Sequence, residues 1–505
     1  MATTCCGLLG IGAESIVIDI ECHVSNNLPT IIIVGSAGKT IHESKDRLRG
    51  AFASSRLKIP RRRITINLAP AEIPKNDSSL DLAIAIGILT IDQQVPPLTV
   101  HQVALGELGL DGATRPVRGI IGKLLAARSK GLCEFFIPST NLAQAQLIPD
   151  IVIYPIASLK QLYDHLTGAK PIKAVKTGRG IITPTARHSG QSYTLEDVVG
   201  QPQAKRALII AAAGGHNVLL SGPPGTGKSM LAKSLLSILP TPTHEELLEI
   251  THLSSLASHN YDKLMTERPL RQPHHSASHA AMIGGSNGMR PGEISLSHRG
   301  VLLLDEFPEF NRAVIESLRQ PLEDRVITIA RAKDSASFPA NFILMATANP
   351  CPCGYAGSQT KVCDCSQQVL RQYKNRLSGP ILDRIDLCCN VQKVTHSQLL
   401  TRPATPLNTA AVRSLVDKAR QRQAERYGNA TTLNSDLSNR ALRKHAQLNG
   451  VARRFIDDAA AKLSLSARAY IRVIKVARTI ADLQDSSTIK IEHISEALTY
   501  RHRPA

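Results

Sequence analysis

The feature that most constrains the fold of this 505-residue chain is a glycine-rich run between a strand and a helix. Asn217–Ser221 reads as an apolar β-strand, Met230–Leu239 reads as a helix, and between them stands the sequence GPPGTGKS. A phosphate-binding loop needs this order, because glycine lets backbone N–H groups point at phosphate oxygens and a helix N-terminus favours negative charge. The run consists of Gly222, Pro223, Pro224, Gly225, Thr226, Gly227, Lys228 and Ser229. We therefore predict an α/β fold that binds ATP, with Lys228 on the β- and γ-phosphates and Ser229 on Mg²⁺.

A second glycine-lysine sequence lies near the start of the chain. Gly35–Thr40 reads GSAGKT and also follows an apolar strand. The position five residues before Gly38 is Ile33 rather than glycine, so this loop is too short to surround phosphates. We predict that Gly35–Thr40 is a strand-to-helix turn that binds no nucleotide.

Two carboxylates follow another apolar strand further along the chain. Val301–Leu304 leads directly into Asp305 and Glu306. Ligands of open α/β sheets lie at the carboxyl ends of the strands, which is where these two side chains emerge. We predict that Asp305 holds Mg²⁺ through water and that Glu306 polarises the attacking water as general base.

Two further polar residues have both a catalytic and a structural interpretation. Asn349 follows the strand Phe342–Thr347 and could contact the γ-phosphate or orient the attacking water, or it could cap a turn. Arg384 could form a surface ion pair with Asp383 or Asp386. It could instead reach ATP bound by the next subunit, where a guanidinium stabilises developing charge. Beside the phosphate loop and the paired carboxylates, we favour the catalytic interpretation of both.

Four of the ten cysteines cluster directly after Asn349. They are Cys351, Cys353, Cys363 and Cys365. Four thiolates could close a tetrahedral Zn²⁺ site, and in a reducing compartment such a cluster suggests metal before disulfide. Free or redox-labile thiols are the alternative, because C-x-C spacing is less usual than C-x-x-C.

Charge and hydropathy limit the class of protein. The chain is 43% hydrophobic and 20% charged, so it can bury cores and is not broadly disordered. Its formal charge of +19 fits an anionic partner, and nucleic acid is the first candidate, although many enzymes are also basic. No apolar run reaches the roughly 18 residues of a membrane span, and the start lacks the basic segment of a signal peptide. We expect a cytoplasmic protein without a membrane partner.

The chain divides into four segments by composition. Residues 1–168 alternate between strand and helix patterns, with the apolar helix Leu80–Leu89 among them. Residues 169–195 are rich in Lys, Gly, Pro, Thr and Ser, which indicates a linker. Residues 196–395 form the α/β module with the motifs above, and residues 396–505 are basic, polar and helical.

Taken together, these motifs resemble the magnesium-chelatase-like AAA+ family, and within it the YifB/ComM type. The runs that carry the resemblance are GPPGTGKSMLA, RPGEISLSHRGVLLLDEFPEF, MATANPCPCGY and LSGPILDRIDL. The resemblance implies an AAA+ P-loop core with a helical lid, ATP and Mg²⁺ as cofactors, and a homo-hexamer that drives DNA branch migration in recombination and transformation. It also implies that Arg384 is the arginine finger and that Arg468, on the lid, is the sensor 2 arginine.

The resemblance extends to the elements that face the pore of such a ring. Members of the family carry an insert before the second ATPase motif and a β-hairpin before Asn349, which correspond here to residues 270–297 and 324–334. The basic residues that could meet DNA phosphates there are Arg290, Arg325, Arg331 and Lys333.

The first domain resembles the α/β fold of Lon-type peptidases, a fold similar to domain 2 of ribosomal protein S5. Ser79 falls at the position of the peptidase serine, but Ile121 falls where the lysine should be. Lys123 is two residues away, and on a helix we expect it to point elsewhere. Without an amine to deprotonate the hydroxyl, we predict a domain without a catalytic dyad and without peptidase activity.

The sequence leaves three kinds of motor as hypotheses. A DNA motor is the leading hypothesis, and a protein unfoldase or a metal-chelatase motor are the alternatives. The pore hairpin segment Asp324–Asp334 has no aromatic residue with which to grip a polypeptide, which disfavours the unfoldase. The Lon-like first domain and the cysteine cluster disfavour the chelatase motor.

Overall fold

The architecture comes from a computed structural model that describes residues 2–178, 193–257, 262–285, 289–330, 335–356, 361–377, 379–394 and 408–501. Within these ranges the chain forms a first α/β unit, a central α/β unit and a helical C-terminal unit. Most of the predicted linker, residues 179–192, lies outside the described ranges.

Two sheets form the first unit. Their strands are β1 Ala2–Ile11, β2 Glu14–Ser25, β3 Thr30–Val34, β4 Arg63–Ala69, β5 Gln102–Ala104, β8 Glu134–Pro138, β9 Val152–Ile156 and β10 Val175–Lys176, and the short strands β6 Glu107–Leu108 and β7 Thr114–Arg115 pair with each other. The strand orders are β1-β2-β4-β3 and β10-β9-β8-β5. In β4 the side chains are alternately buried and partly exposed, because successive residues of a strand point to opposite faces of the sheet. The pairing of β10 with β9 extends the ordered structure of this unit beyond residue 168.

Helices cover the buried faces of these sheets. They span Lys39–Ser54, Asp81–Ile91, Ile120–Arg128, Leu142–Ala145 and Leu159–Leu166, with short 3-10 turns at Ser78–Leu80 and Ser139–Asn141. The apolar helix predicted at Leu80–Leu89 is confirmed as Asp81–Ile91, and all of its residues except Thr90 are buried. A helix that is apolar on every side belongs in a core, and this one packs against β1 and β2.

The central unit is built on a five-stranded parallel sheet. Its strands are β11 Val218–Ser221, β12 Leu270–Arg271, β13 Val301–Leu304, β16 Ile343–Ala348 and β17 Leu387–Asn390, in the order β12-β13-β16-β11-β17. All four pairings are parallel, and β13 and β16 are buried along their whole length. Parallel sheets with helices on both faces have continuous apolar strands of this kind. Because β11 lies between β16 and β17, the segments that follow these three strands meet at one edge of the sheet.

The helices of the central unit surround this sheet. They span Pro202–Gly214, Lys228–Ile238, His244–Ala257, His279–Ile283, Glu293–Leu296, Arg312–Ser317, Arg319–Asp324, Gln367–Arg376 and Gly379–Leu382, with a 3-10 turn at Phe307–Glu309. The predicted hairpin is present as the antiparallel pair β14 Val326–Ala330 and β15 Ser335–Pro339, which continues past the predicted limit at residue 334. The hairpin thus stands directly before β16 and Asn349.

The C-terminal unit is helical, as the sequence predicts. Its helices span Thr409–Tyr427, Asn439–His445, Gly450–Lys462, Ala467–Leu483 and Ile491–Thr499, with a 3-10 turn at Asn434–Asp436. Some of its basic residues form internal ion pairs. Arg478 is fully buried, and both Arg478 and Arg426 pair with the buried Asp482. No helix of the described segments is both long enough and apolar enough to cross a membrane.

Candidate nucleotide-binding site

The glycine-rich run lies at the carboxyl edge of the central sheet. It connects β11 to the helix Lys228–Ile238, and Gly225 and Gly227 have φ angles of +75° and +83°. These are left-handed conformations that glycine adopts without steric cost. A methyl group placed on either glycine would have no other atom within 4 Å, so the space above the loop is open. The loop therefore leaves room for a phosphate group to approach its backbone.

Lys228 is held inside this loop by neutral oxygen atoms. Its ammonium donates hydrogen bonds to the carbonyl oxygens of Gly222 at 2.7 Å and Pro223 at 2.8 Å, and to Oδ1 of Asn349 at 3.1 Å. Burial lowers the pKa of Lys228, while the charges of Asp305 and Glu306 act to raise it. Replacing these neutral partners by a phosphate oxygen would lower the free energy, because a hydrogen bond between two charged groups is stronger than one between a charged and a neutral group. The structure thus brings Lys228 and Asn349 together, as the sequence predicts for an ATP site.

Asp305 is surrounded by hydroxyl groups at the end of β13. The hydroxyl of Ser229 donates to its two carboxylate oxygens at 3.1 and 2.8 Å, and the hydroxyl of Thr347 donates to Oδ1 at 2.5 Å. A hydroxyl and a carboxylate in contact are oxygen ligands of the kind that Mg²⁺ binds together with phosphates. Ser229 and Asp305 are therefore placed to hold the metal that accompanies ATP.

Thr347 is a site residue that the sequence analysis missed. Besides binding Asp305, its hydroxyl accepts the backbone N–H of Glu306 at 3.0 Å. This single side chain thus fixes both residues of the acidic pair. The available signal was the only hydroxyl group in the otherwise apolar strand Ile343–Ala348, which is too common a feature to single out.

Glu306 has an exposed side chain at the rim of the site. Its φ angle of +54° lies in the left-handed region, which is uncommon for a residue with a side chain. Backbone strain of this kind persists only where neighbouring groups enforce it, and it concentrates at functional sites. The conformation turns the carboxylate out of β13 toward solvent, where a water molecule can reach it.

The two arginines predicted to act on ATP meet on a different carboxylate. Arg384 pairs with Glu323 and also donates to the carbonyl oxygen of Pro380 at 2.7 Å, while Arg468 lies 3.6 Å from Glu323. The sequence alternative that paired Arg384 with Asp383 or Asp386 is therefore wrong, since its partner comes from the helix Arg319–Asp324. Within the described residues, neither arginine forms a hydrogen bond or ion pair with the phosphate loop, Asp305 or Glu306 of its own chain.

The four clustered cysteines are close enough to bind one metal ion. Their sulfur atoms all lie within 4.8 Å of one another, with Cys351 and Cys353 at 3.2 Å and Cys353 and Cys363 at 3.5 Å. All four are free thiols, so no disulfide competes for them. The cluster could hold a metal such as zinc.

The residues proposed to contact DNA do not form one exposed set. Arg325 is bound to Asp436 of the C-terminal unit at 3.0 Å and to the backbone of Phe342, so it joins two units instead of facing a ligand. Arg290 is partly buried and lines a cavity of about 650 Å³ beneath the first unit. Arg331 and Lys333, which stand between the two hairpin strands in the sequence, lie outside the described residues.

The prediction that Lys123 points away from Ser79 is wrong. Its ammonium donates to the hydroxyl of Ser79 at 2.8 Å and to the carboxylate of Asp77 at 2.5 Å, and it is buried. Residues two apart lie on nearly opposite sides of a helix, and the structure places Ser79 on the side of Lys123, while Ile121 packs into the core.

The chemistry of this pair nevertheless differs from that of an activated serine. Burial acts to raise the pKa of Asp77, but the ammonium of Lys123 and hydrogen bonds from Lys123 and Ser79 lower it overall. The carboxylate therefore stays charged where it contacts the side chain of Lys123. The hydroxyl of Ser79 donates to the carbonyl oxygen of Leu8 at 3.2 Å. The absence of peptidase activity stays a prediction.

Three parts of the chain match profiles of known protein families. The profile described as magnesium chelatase, subunit ChlI, matches residues 194–399, and its C-terminal counterpart matches residues 407–501. A profile described as subunit ChlI of Mg-chelatase matches residues 20–141.

Individual relatives cover nearly the whole chain. Competence protein ComM of Haemophilus influenzae is 41% identical over 500 residues, which cover 97% of this chain and 96% of that protein. The uncharacterized protein YifB of Salmonella typhimurium is 39% identical over 496 residues, with 98% and 95% covered. The magnesium-chelatase 38 kDa subunit of Cereibacter sphaeroides is 26% identical over 176 residues, with 31% and 53% covered.

Proposed function

This chain belongs to the magnesium-chelatase-like AAA+ family, of the YifB/ComM type, and from that premise we propose that it is a hexameric ATP-driven DNA motor that catalyses branch migration. The process it serves is integration of incoming DNA by homologous recombination in natural transformation. The proposal rests on the hydrogen bonds that bring Lys228 to Asn349 and Ser229 to Asp305 at one edge of the sheet. The chain that carries them resembles a competence protein over nearly its full length.

In the proposed mechanism, each side chain of the site has one task. Lys228 exchanges its contacts with carbonyl oxygens for phosphate oxygens, and Asn349 remains beside it to contact the terminal phosphate. Ser229 and Asp305 hold Mg²⁺, which neutralises charge on the β- and γ-phosphates. Glu306 accepts the proton of the attacking water, and Thr347 keeps the acidic pair in position.

The arginines complete the site from the neighbouring subunit in this proposal. Arg384 and Arg468 share Glu323, so they lie at one surface although they come from the central and C-terminal units. A guanidinium that must reach phosphate in the next subunit has to leave such a partner, and ATP offers a more negative one. We infer that nucleotide-dependent assembly moves both arginines from Glu323 to the adjacent ATP.

DNA would occupy the basic centre of the ring. The hairpin tip with Arg331 and Lys333 is the first candidate contact, whereas Arg325 is excluded because Asp436 already holds it. Arg290 would reach DNA only if it leaves its cavity. Exposed basic residues also occur on two consecutive C-terminal helices, at Arg440, Arg443, Lys444, Arg453 and Arg454. Phosphate contacts of this kind make DNA binding weaken as salt rises.

Two finer assignments belong to the same proposal. We infer that the four-cysteine cluster binds a structural Zn²⁺, since four free thiols at this spacing match the ligand set of closed zinc sites. We also infer that the first unit has the Lon-peptidase-like fold without peptidase activity.

The test is migration of a Holliday junction or a three-strand intermediate by purified protein with Mg²⁺-ATP. Wild type should migrate the branch, and Glu306→Gln should bind ATP yet hydrolyse it at least ~10²-fold more slowly, since a general base contributes that much or more. Hydrolysis at the normal rate by Glu306→Gln would refute the assignment of the base. Degradation of casein in place of DNA migration would favour the unfoldase or protease hypothesis.

Mixing two inactive variants tests the trans arginine. Arg384→Ala should bind nucleotide and fail to hydrolyse it, while Lys228→Ala should fail to bind it. A mixed ring contains interfaces that join an intact Arg384 to an intact Lys228, so mixing should restore part of the ATPase activity. Rings that form without any restored activity would contradict an arginine acting in trans.

A further inference from the structure

The cysteine cluster lies directly beside the phosphate loop. The turn Cys351–Gly354 is closed by a hydrogen bond from the amide of Gly354 to the carbonyl oxygen of Cys351 at 2.9 Å. Gly354 has a φ of +84° and faces the ring of Pro224, because a methyl group placed on it would lie 2.6 Å from Pro224 Cδ. The turn that carries two of the thiols thus packs directly against the loop predicted to hold the phosphates.

The cluster is also joined to the γ-phosphate side of the site. Cys351 follows Asn349 by two residues, and Oδ1 of Asn349 accepts a hydrogen bond from Lys228. Cys351 is fully buried, so the chain between it and Asn349 has little freedom to move. Any displacement of Cys351 therefore shifts Asn349 and the ammonium bound to it.

The second cysteine pair leads back to the acidic strand. Cys363 and Cys365 precede the helix Gln367–Arg376, whose last residue donates to Glu309 at 2.7 Å and to the carbonyl oxygen of Pro308 at 3.1 Å. Glu309 lies three residues after Glu306, in the 3-10 turn that follows the acidic pair. The two halves of the cluster therefore connect to the segments after two adjacent strands, β16 and β13, that carry Asn349 and the acidic pair.

The sulfur positions fit a tetrahedral ion. Zinc–sulfur bonds of about 2.3 Å in tetrahedral geometry place sulfur atoms about 3.8 Å apart. The distances are 3.2, 3.5 and 3.7 Å for three of the pairs, so only small shifts are needed to close the site. The amide of Ala356 donates to the sulfur of Cys351 at 3.2 Å, which fixes the position of this sulfur. Binding would release the thiol protons to solvent and involves no change of oxidation state.

We propose that Zn²⁺ at Cys351, Cys353, Cys363 and Cys365 controls nucleotide binding, because the ion holds the turn Cys351–Gly354 against the phosphate loop and fixes Asn349 beside Lys228. The inference rests on the proposed binding of ATP at Lys228. Without the ion, the two cysteine pairs are free to separate, and both contacts loosen. The cluster is then a regulatory element of the motor as well as a stabilising one.

The first experiment compares zinc content and nucleotide affinity in full-length protein. Wild type should release about one zinc per chain on thiol modification and bind a fluorescent ATP analogue. Cys363→Ser with Cys365→Ser should lose the zinc and bind the analogue about tenfold more weakly or worse, in the range that loss of metal-site contacts produces. Cys133→Ser, at a partly exposed thiol of the first unit, is the matched control and should change neither quantity.

A second variant separates the metal from its effect. Gly354→Ala keeps all four thiols but places a methyl group against Pro224, so it should retain zinc and still weaken nucleotide binding. Circular dichroism and thermal melting show whether each variant is folded.

Each outcome points to a different assignment. Nucleotide affinity that stays unchanged both in the zinc-free double variant and in zinc-loaded Gly354→Ala would refute the coupling and leave the ATP site intact. Wild type without zinc would refute the metal. Zinc-loaded wild type that binds no nucleotide would instead refute the proposed function.

Discussion

Two loops of this chain carry the sequence Gly-Lys followed by a hydroxyl residue, and they differ in what occupies the space above them. Above Gly225 and Gly227 nothing lies within 4 Å of a methyl group placed on either residue. Above Gly38 the same methyl group would lie 1.5 Å from Oδ1 of Asn76. The amide of Gly38 already donates to the carbonyl oxygen of Lys75 at 2.8 Å. The first loop leaves a place for phosphate, and the second is filled by its own domain.

The lysines of the two loops differ in the same way. Lys228 is buried and held by neutral oxygens, whereas the side chain of Lys39 is 92% exposed and lies 3.9 Å from Glu43. An exposed ammonium gains little from a phosphate because water already solvates it. The comparison teaches that a glycine-lysine sequence indicates a nucleotide site when the loop leaves open space and when neutral oxygens, which a phosphate can replace, hold its lysine.

The largest expected effect comes from exchanging each lysine for alanine. Lys228→Ala should weaken ATP binding by about 2–5 kcal/mol, the range for removing one partner of a buried, hydrogen-bonded charge pair. Lys39→Ala is the matched control and should leave the affinity unchanged. Titration with a fluorescent ATP analogue measures both. Loss of affinity in Lys39→Ala would show that the loop Gly35–Thr40 binds nucleotide after all.

The next largest effect is expected at Thr347, whose hydroxyl positions Asp305 and Glu306 beside the open loop. Thr347→Val keeps the shape of the side chain but removes the hydrogen bonds to Asp305 and the amide of Glu306, and bonds to charged groups contribute about 1.5–3 kcal/mol each. We expect the ATPase rate to fall by roughly tenfold or more, with nucleotide still bound. Thr347→Ser retains the hydroxyl and should recover most of the rate. Equal rates in the Val and Ser variants would mean that the hydroxyl has no part in positioning the acidic pair.

The sequence was sufficient for the parts of the site that are local. Strand, loop and helix follow one another around Lys228, and the acidic pair ends its own strand, so short-range pattern alone located them. It was insufficient where the partner of a side chain comes from a distant segment. Arg384 pairs with Glu323, and Arg325 pairs with Asp436. The turn with Ser79 contacts the face of the helix Ile120–Arg128 that carries Lys123. These contacts depend on how segments pack, and no periodicity encodes that.

A smaller effect is expected from filling the loop Gly35–Thr40 further. Gly38→Ala should destabilise the first unit by about 1–3 kcal/mol, because its methyl group would overlap Asn76. ATP affinity should not change, since this loop does not hold phosphate. Thermal melting of the full chain measures the loss, and combining Gly38→Ala with Asn76→Ala should restore part of it. No loss of stability would mean that the space above Gly38 is less filled than the structure shows.

The smallest effect is expected at Lys123, a further buried lysine whose partners differ from those of Lys228. Lys123 is buried like Lys228 and touches a serine, but its second partner is the carboxylate of Asp77, which already compensates its charge. The hydroxyl of Ser79 donates to the carbonyl oxygen of Leu8 and accepts from Lys123, so a fluorophosphonate probe should leave Ser79 unmodified at neutral pH. Asp77→Asn removes the compensating charge and is the variant best placed to reveal hidden reactivity. Labelling of Ser79 in wild type, identified by peptide mass, would show that contact with a carboxylate does not silence this lysine.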